Sequence, residues 1–526
     1  MATSLRIRSL ASNSAFGLAW LILSLGAVSR AADSAPPAAD AGYHIIGAGI
    51  TGASQLQPGV GSESKLELRS SDARLTEAFD WAKRQASVYA RDAGDPVGPW
   101  YEGGEPGRES FCMRDISHQA VGGHALGFAR HNLNMLHRFA ENIAESRDWC
   151  SYWGMTRMNQ PRRVDYKDDA HFWYCLPANF DVLAACYRMY LWTGDPAYVS
   201  DPVFLNFYDR TVDDYVQRWA LDLDRIMTRP RLLNVRGIFD PDDKFQKARG
   251  IPGYDEQTKG YVVAADVLAT QYAAYNAYVY FQEFLGHEDR ARLFAEKAAA
   301  VRNLLNTAWW NAADNCFYAR VNADHKLEGR DAGVLLYHGV VEDGPKLKAA
   351  LGAVGVSRTS AEILYRYGEA DAAYDRLMAV VFDAGSRREY PEVSFSWIGA
   401  FVTGTMGVNV EAPAPLDAWV KGYWVDKIVR TLPGLGSKVA WAELRNLPVR
   451  ANEIAVRHEG TTKTVMTNLS GPAFIWQACF SGAHETLLVN GQPMKATLEP
   501  GWLGATLSSV RVTLGAGGIV TVEVPK

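Results

Sequence analysis

The chain has 526 residues, 48% of them hydrophobic and 21% charged, a composition that supports a large folded core and excludes a disordered chain. Its formal net charge of -5 is small, and its basic residues gather only in pairs such as Arg162-Arg163 and Arg387-Arg388, so nucleic acid is excluded as an expected partner. The 16 Trp and 24 Tyr residues supply flat rings with a polar edge, which suit sugar faces as well as a protein core.

In chain order, residues 1–32 read as a secretory signal peptide. Arg6 and Arg8 precede an apolar run over 16–28, and Ser29-Arg30-Ala31 flanks a cleavage point. The run is short for a membrane span, though a retained N-terminal anchor is the competing reading. The mature chain is expected to be exported, periplasmic or extracellular, and without a membrane partner. Residues 33–70 form a Pro/Ala/Asp-rich spacer and a short β-segment. Within it, Gly47-Ala48-Gly49-Ile50-Thr51-Gly52 imitates a dinucleotide fingerprint, but Pro58, Gly59 and Gly61 stop the helix that the phosphates would need. No cofactor is expected.

From residue 71 the periodicity turns helical. Helices are predicted over 72–91, 178–193, 203–220, 358–366, 369–383 and 394–408. Leu126, Ala129, Leu133, Leu136, Ala140 and Ile143 mark one continuous helical stripe. Val263 to Phe284 and Phe294 to Ala308 form a hairpin across Gly286-His287. This succession of hairpins predicts a mainly α fold, an (α/α)6 toroid over 71–430 with long functional loops, for example 99–109, 149–173 and 234–260. Over 431–526, short β-prone runs at 453–456, 463–468, 473–479, 486–489 and 519–524, with an Asn490-Gly491 hairpin turn, predict a small C-terminal β-sandwich domain. Six cysteines are compatible with disulfides, but no CxxC spacing selects a pairing.

The densest polar stretch runs from Trp100 to Gln119 and ends at a long helix. It places Asp115 at or near a helix N-terminus, where a capping Asp paired with Arg114 is one reading. Against capping, the stretch also holds Glu102, Glu105, Glu109, His118 and two large rings. Arg114, His118, Gln119 and Glu105 are candidate hydroxyl-binding residues, and Trp100, Tyr101, Trp153, Trp173, Tyr254 and Trp397 candidate stacking residues or core rings. Asp255 and Glu256, before another helix, form a rival acid site or a simple helix-terminal cluster. His118, His124, His131 and His137 recur at six- and seven-residue steps, too far apart for paired metal ligands, so no metal is expected.

Phe111-Cys112-Met113-Arg114-Asp115 before a long helix resembles the corresponding loop of the six-hairpin glycosidases, the (α/α)6-barrel superfamily that includes α-L-rhamnosidases, exo-α-mannosidases and glucoamylases. Phe172-Trp173-Tyr174-Cys175-Leu176-Pro177-Ala178-Asn179 with Leu191-Trp192-Thr193-Gly194-Asp195 is similar to a helix pair of that superfamily, as is the region 301–318 with Trp309-Trp310. Glu389-Tyr390-Pro391-Glu392 resembles the late carboxylate segment of the α-L-rhamnosidases, the nearest members, and the resemblance covers 70–526. It implies a glycoside hydrolase acting on oligo- or polysaccharide, exo-acting and inverting, with Asp115 as acid and Glu392 as base. In glucoamylases the equivalent Arg-Asp pair binds the sugar, so the role of Asp115 stays open. A polysaccharide lyase or unsaturated uronyl hydrolase on the same toroid, or a non-catalytic glycan-binding protein, are the alternatives.

Overall fold

A computed structural model describes residues 64–104, 106–230, 250–255, 260–383, 388–410 and 428–526. The expected signal peptide, the glycine-rich stretch at 47–52 and most of the 234–260 loop lie outside the described residues. No helix among the described residues is long and apolar enough to cross a membrane.

The helical part is built from α1 (Ala73–Tyr89), α2 (Met113–Ala125), α3 (Ala129–Glu141), α4 (Pro177–Thr193), α5 (Pro202–Arg210), α6 (Ala265–Phe284), α7 (Glu288–Thr307), α8 (Gly333–Tyr337), α9 (Pro345–Gly352), α10 (Ser360–Arg366), α11 (Ala370–Phe382) and α12 (Pro391–Ala400). Local chemistry sets their limits. Asp72 caps α1, its side chain accepting from the Arg74 N–H at 2.9 Å. Gly286, at φ +78°, turns α6 into α7 at the expected break. The expected stripe from Leu126 to Ile143 is not one helix. Gly127, at φ +94°, ends α2 and the chain restarts at Ala129, so His118 and His124 lie on α2 while His131 and His137 lie on α3. The helix expected over 203–220 is continuous from Pro202 to Arg218, α5 running through a π-turn at Thr211–Tyr215 into a last turn at Val216–Arg218.

α4 is buried on every side from Pro177 to Trp192. It packs against α2 and α6; α2 packs against α12, α6 against α8, α8 against α10, and α10 against α12. The remaining helices pack on these six or on one another: α1 on α12, α3 on α2 and α4, α5 on α3, α7 on α6, α9 on α8, and α11 on α10.

The β part holds two sheets. One has seven strands, built from β1 (Glu67–Ser70), β4 (Trp441–Val449), β5 (Asn452–Glu459), β6 (Lys463–Ser470), β8 (Thr486–Val489), β9 (Gln492–Lys495) and β12 (Ile519–Glu523), in the order β1-β4-β5-β6-β12-β8-β9. The other has five strands, built from β2 (Val408–Val410), β3 (Ile428–Thr431), β7 (Phe474–Ser481), β10 (Thr497–Pro500) and β11 (Thr506–Leu514), in the order β2-β3-β7-β11-β10. The segment before the first helix thus supplies an edge strand, with Glu67 opposite Arg445, and the five-stranded sheet takes in β2 and β3 from before or at residue 431. Asn490 and Gly491, at φ +50° and +78°, make the expected hairpin turn between β8 and β9. Two buried histidines tie the sheets to the helices: His124 meets the Pro448 carbonyl, and His458 bridges Thr464 and the Met406 carbonyl. Among the described residues no two cysteines are disulfide-bonded.

Candidate active site

The polar stretch folds as a short strand, Ser110–Cys112, that pairs with Gly154–Thr156 and runs straight into α2. Cys112, the N-cap, makes no side-chain capping bond. Asp115, in the first turn, points inward and is only 3% exposed. Pro391 opens α12 with its backbone already set for a helix, which places Glu392 in that first turn, likewise buried. The two carboxyl groups lie close enough together for each to perturb the other's proton affinity.

Arg358, just ahead of α10, spans both acids: its Nη1 lies 3.8 Å from Asp115 Oδ1 and touches Glu392 Oε2. Arg114 Nε stands 3.9 Å from the same Asp115 oxygen. Two buried carboxyls in contact titrate as a unit and hold a proton between them. Burial opposes charge on Asp115, yet Arg114 and Arg358 beside it, with Glu392 and Cys112 as hydrogen-bond partners, hold its carboxyl below the usual range. Burial raises Glu392 despite Arg358, and the Asp115 charge adds to the rise. The surroundings thus push the two carboxyls in opposite directions, Asp115 toward the ionised form and Glu392 toward the protonated one.

One helical turn beyond Asp115, His118 Nδ1 lies 3.2 Å from Arg358 Nη2, and His118 Nε2 lies 3.6 Å from Asp181 Oδ2 on α4. Burial and the surrounding guanidiniums of Arg358, Arg114 and Arg188 depress this histidine well below its ordinary value. A guanidinium only donates, so the neutral ring accepts at Nδ1 and carries its hydrogen on Nε2, toward Asp181. The Tyr254 hydroxyl donates to Asp181, whose carboxyl is pushed up by burial to about 7. Arg114 lies over the Tyr254 ring at 4.9 Å and the Trp153 ring at 5.6 Å, and Trp153 meets Trp173 edge-on at 4.5 Å. Opposite, Gly103 and Gly104 approach so closely that a Cβ at either would stand 3.2 Å or 3.4 Å from Asp115.

The structure thus brings together Asp115, Glu392, Arg114, His118, Tyr254, Trp153 and Trp173. Three other rings belong to the core. Trp100 donates to Asp95 at 2.7 Å and packs on Phe111; Tyr101 donates to Asn132 at 2.5 Å and stacks on Phe395; Trp397 donates to the Leu377 carbonyl at 3.0 Å and stacks on Phe401. Each is 2% exposed or less, which leaves no face for a sugar. Gln119 is also fully buried and donates to the Glu102 carbonyl at 3.2 Å. Asp255 is ion-paired with Arg320 at 2.7 Å. Glu105 and Glu256 lie outside the described residues.

Arg358, Asp181 and Arg188 were not legible as site residues from the sequence pattern. Asp181 and Arg188 did leave a signal, two charges seven residues apart on one side of a helix that is otherwise nearly all apolar. Arg358, in Val356-Ser357-Arg358-Thr359, left none. Several buried atoms of the cluster, including Asp115 Oδ1, His118 Nε2 and Arg358 Nε, have no hydrogen bond among the described residues. Cores rarely leave so many polar atoms unsatisfied, whereas a polyhydroxylated ligand would engage them. No group of three or more His, Cys, Asp or Glu among the described residues is arranged to hold a metal ion.

No protein-family model matches the chain, and no curated protein matches it in sequence. Among solved structures it is similar to the α-L-rhamnosidase from Dictyoglumus thermophilum, with a TM-score of 0.55 and 12% identity over 88% of this chain and 51% of that one. It is also similar to the native α-L-rhamnosidase from Aspergillus terreus, with a TM-score of 0.51 and 12% identity over 86% of this chain and 50% of that one. The fold is rhamnosidase-like. The chain spans about half the length of these structures.

Proposed function

We propose that the chain is an exported glycoside hydrolase, built on a closed (α/α)6 toroid with a C-terminal β-sandwich, that cleaves terminal sugars from oligo- or polysaccharides with inversion. The contacts running from α12 through α2, α4, α6, α8 and α10 back to α12 support the toroid. The observation that carries the function is the buried Asp115–Glu392 pair, two carboxyls whose surroundings push their proton affinities apart, set among unsatisfied donors and acceptors. Glycosidic cleavage needs this difference, one carboxyl protonated and one ionised. Rhamnose or a related deoxy sugar is the first substrate class to test.

An inverting enzyme keeps its carboxyls roughly 6.5–9.5 Å apart, with room for water and the glycosidic oxygen. Asp115 and Glu392 lie closer together than that, both at Arg358 Nη1, so the proposed reaction requires them to part. The opposite directions of the two shifts favour Glu392 as acid and Asp115 as base, the reverse of what the resemblance implies. Aryl glycosides, α-L-rhamnosides included, and matched glycosyl fluorides test both points. Asp115→Asn and Glu392→Gln are each expected to lose roughly 10²–10⁴-fold in kcat on unactivated substrates. The variant lacking the acid keeps activity on fluorides, whose departure needs no proton, while the variant lacking the base loses both. No cleavage across the panel by the wild-type protein would refute the hydrolase, and products absorbing in the ultraviolet would favour a lyase.

A further inference from the structure

Arg358 is at the centre of the cluster without belonging to any motif. Its Nη1 reaches both carboxyls, its Nη2 meets His118 Nδ1, and its side chain is only 5% exposed. His118 is in turn held between Arg358 and Asp181, and Asp181 accepts from Tyr254. A buried guanidinium fixed in this way turns one nitrogen to both acids while another is held by His118, a division of donors that a lysine cannot reproduce.

We propose that Arg358 is the positioning residue of the Asp115–Glu392 pair: braced by His118, its guanidinium holds the two carboxyls close together at the start of their helices. The proposal rests on the hydrolase reading only for its catalytic consequence. Among the described residues, the charged and titratable groups around the pair include His118 and Asp181. Arg114 and Cys112 come from its own segment, Arg358 from the turn before α10, and Arg162, which donates to the Cys112 thiol at 3.0 Å and pairs with Asp165, from the loop after Gly154–Thr156. Of the two guanidiniums beside Asp115, Arg358 also contacts Glu392 directly. Removing it leaves two buried acids facing each other with less positive charge between them, so both hold their protons to higher pH.

The test is infrared titration of the carboxyl groups in the full chain, which needs no turnover. In the wild-type protein near neutral pH, a buried protonated carboxyl is expected whose band disappears in Glu392→Gln. In Arg358→Met, which keeps much of the volume, the titration of the pair is expected to move to higher pH by about one to three pH units. In Arg358→Lys, which guards against a failure of the Met variant to fold, a smaller move in the same direction is expected. An unmoved titration in the folded variants overturns the proposal. If the acid limb of the kcat/KM profile shifts with the infrared titration, the role extends to catalysis. If no glycoside is cleaved at all, the hydrolase reading falls while the infrared result still decides the role of Arg358.

Discussion

Gly122→Ala should damage this protein although Ala is the better helix former. An ideal Cβ at Gly122 would stand 1.9 Å from the Phe395 carbonyl oxygen and 2.8 Å from its carbon, so α2 and α12 meet there backbone to backbone. Gly399 faces the same spot, where an added Cβ would lie 3.5 Å from the Gly122 nitrogen. Restoring an ordinary contact of 3.4 Å requires the helices to part by about 1.5 Å, and neither side has a flexible side chain to give way. Overpacking of this kind costs about 1–3 kcal/mol or more, and the rigid backbone puts this case at the upper end. Replacing glycine inside a helix returns about 1 kcal/mol. The expected net loss is about 2 kcal/mol, read from urea unfolding by tryptophan fluorescence. Gly352→Ala is the control: it ends α9 with nothing within 4 Å of the added Cβ, so it should be neutral or slightly stabilising. The consequence reaches the site, because Asp115 and Glu392 ride on these two helices, and a displacement of about 1 Å can cost roughly 10²-fold in rate. If Gly122→Ala matches wild type within about 0.5 kcal/mol, the close helix contact is wrong.

Further outcomes follow from the same geometry. Asp181 binds its proton more tightly folded, near 7, than unfolded, so its contribution is full below the unfolded value and is lost as pH rises through about 7. Asp181→Asn should therefore flatten the fall in stability between about pH 4 and 7, a slope worth up to about 4 kcal/mol in pH-dependent unfolding; an unchanged slope would exclude Asp181 as its source. Trp397→Phe removes the bond to the Leu377 carbonyl and should cost about 1–2 kcal/mol while leaving KM for any substrate unchanged. Trp153→Ala, beside Arg114, should raise KM, and an unaltered KM would remove that ring from the binding wall. Gly286→Ala, at φ +78° with open space around it, should cost about 1 kcal/mol through backbone strain alone, measurable by urea unfolding.

The helices were legible in the sequence because their cores follow one rule, apolar residues at steps of three and four, as in the α6–α7 pair. The rule failed where a single backbone feature overrode it. Apolar spacing carries smoothly through Gly127, yet the left-handed turn there cuts the stripe in two. The aromatic candidates failed for a related reason. Trp100, Tyr101 and Trp397 stand beside polar loops in sequence, but the Asp95, Asn132 and Leu377 oxygens that satisfy their polar edges are distant or unremarkable in sequence. Asp115 and Glu392 were legible because each opens a helix after a distinctive segment. Their closeness was not, because it depends on the α2–α12 crossing, where Gly122 meets Phe395, a tertiary packing that neither segment encodes alone.

That crossing also explains why the acids need the guanidiniums. Asp115 and Glu392 lie in the first turns of α2 and α12, Asp181 in the second turn of α4, and Asp266, in the first turn of α6, holds the Tyr254 N–H at 2.7 Å. Four helix N-termini thus converge, each with partial positive charge worth about 0.3–1 kcal/mol to an anion and up to about 2 kcal/mol when buried. Such a floor favours carboxylates but repels the oxocarbenium-like charge that glycosidic cleavage develops. An ionised Asp115 supplies a negative charge at one point of that floor. Arg114 and Arg358, by holding Asp115 below its usual range against the cost of burial, keep a negative charge available where the helix ends alone would present a positive one. On the proposed mechanism, substitution of Asp115 by Asn should therefore harm the transition state more than ground-state binding, lowering kcat with little change in KM. A rise in KM with kcat preserved would instead make Asp115 a sugar-binding residue, as the glucoamylase-like alternative holds.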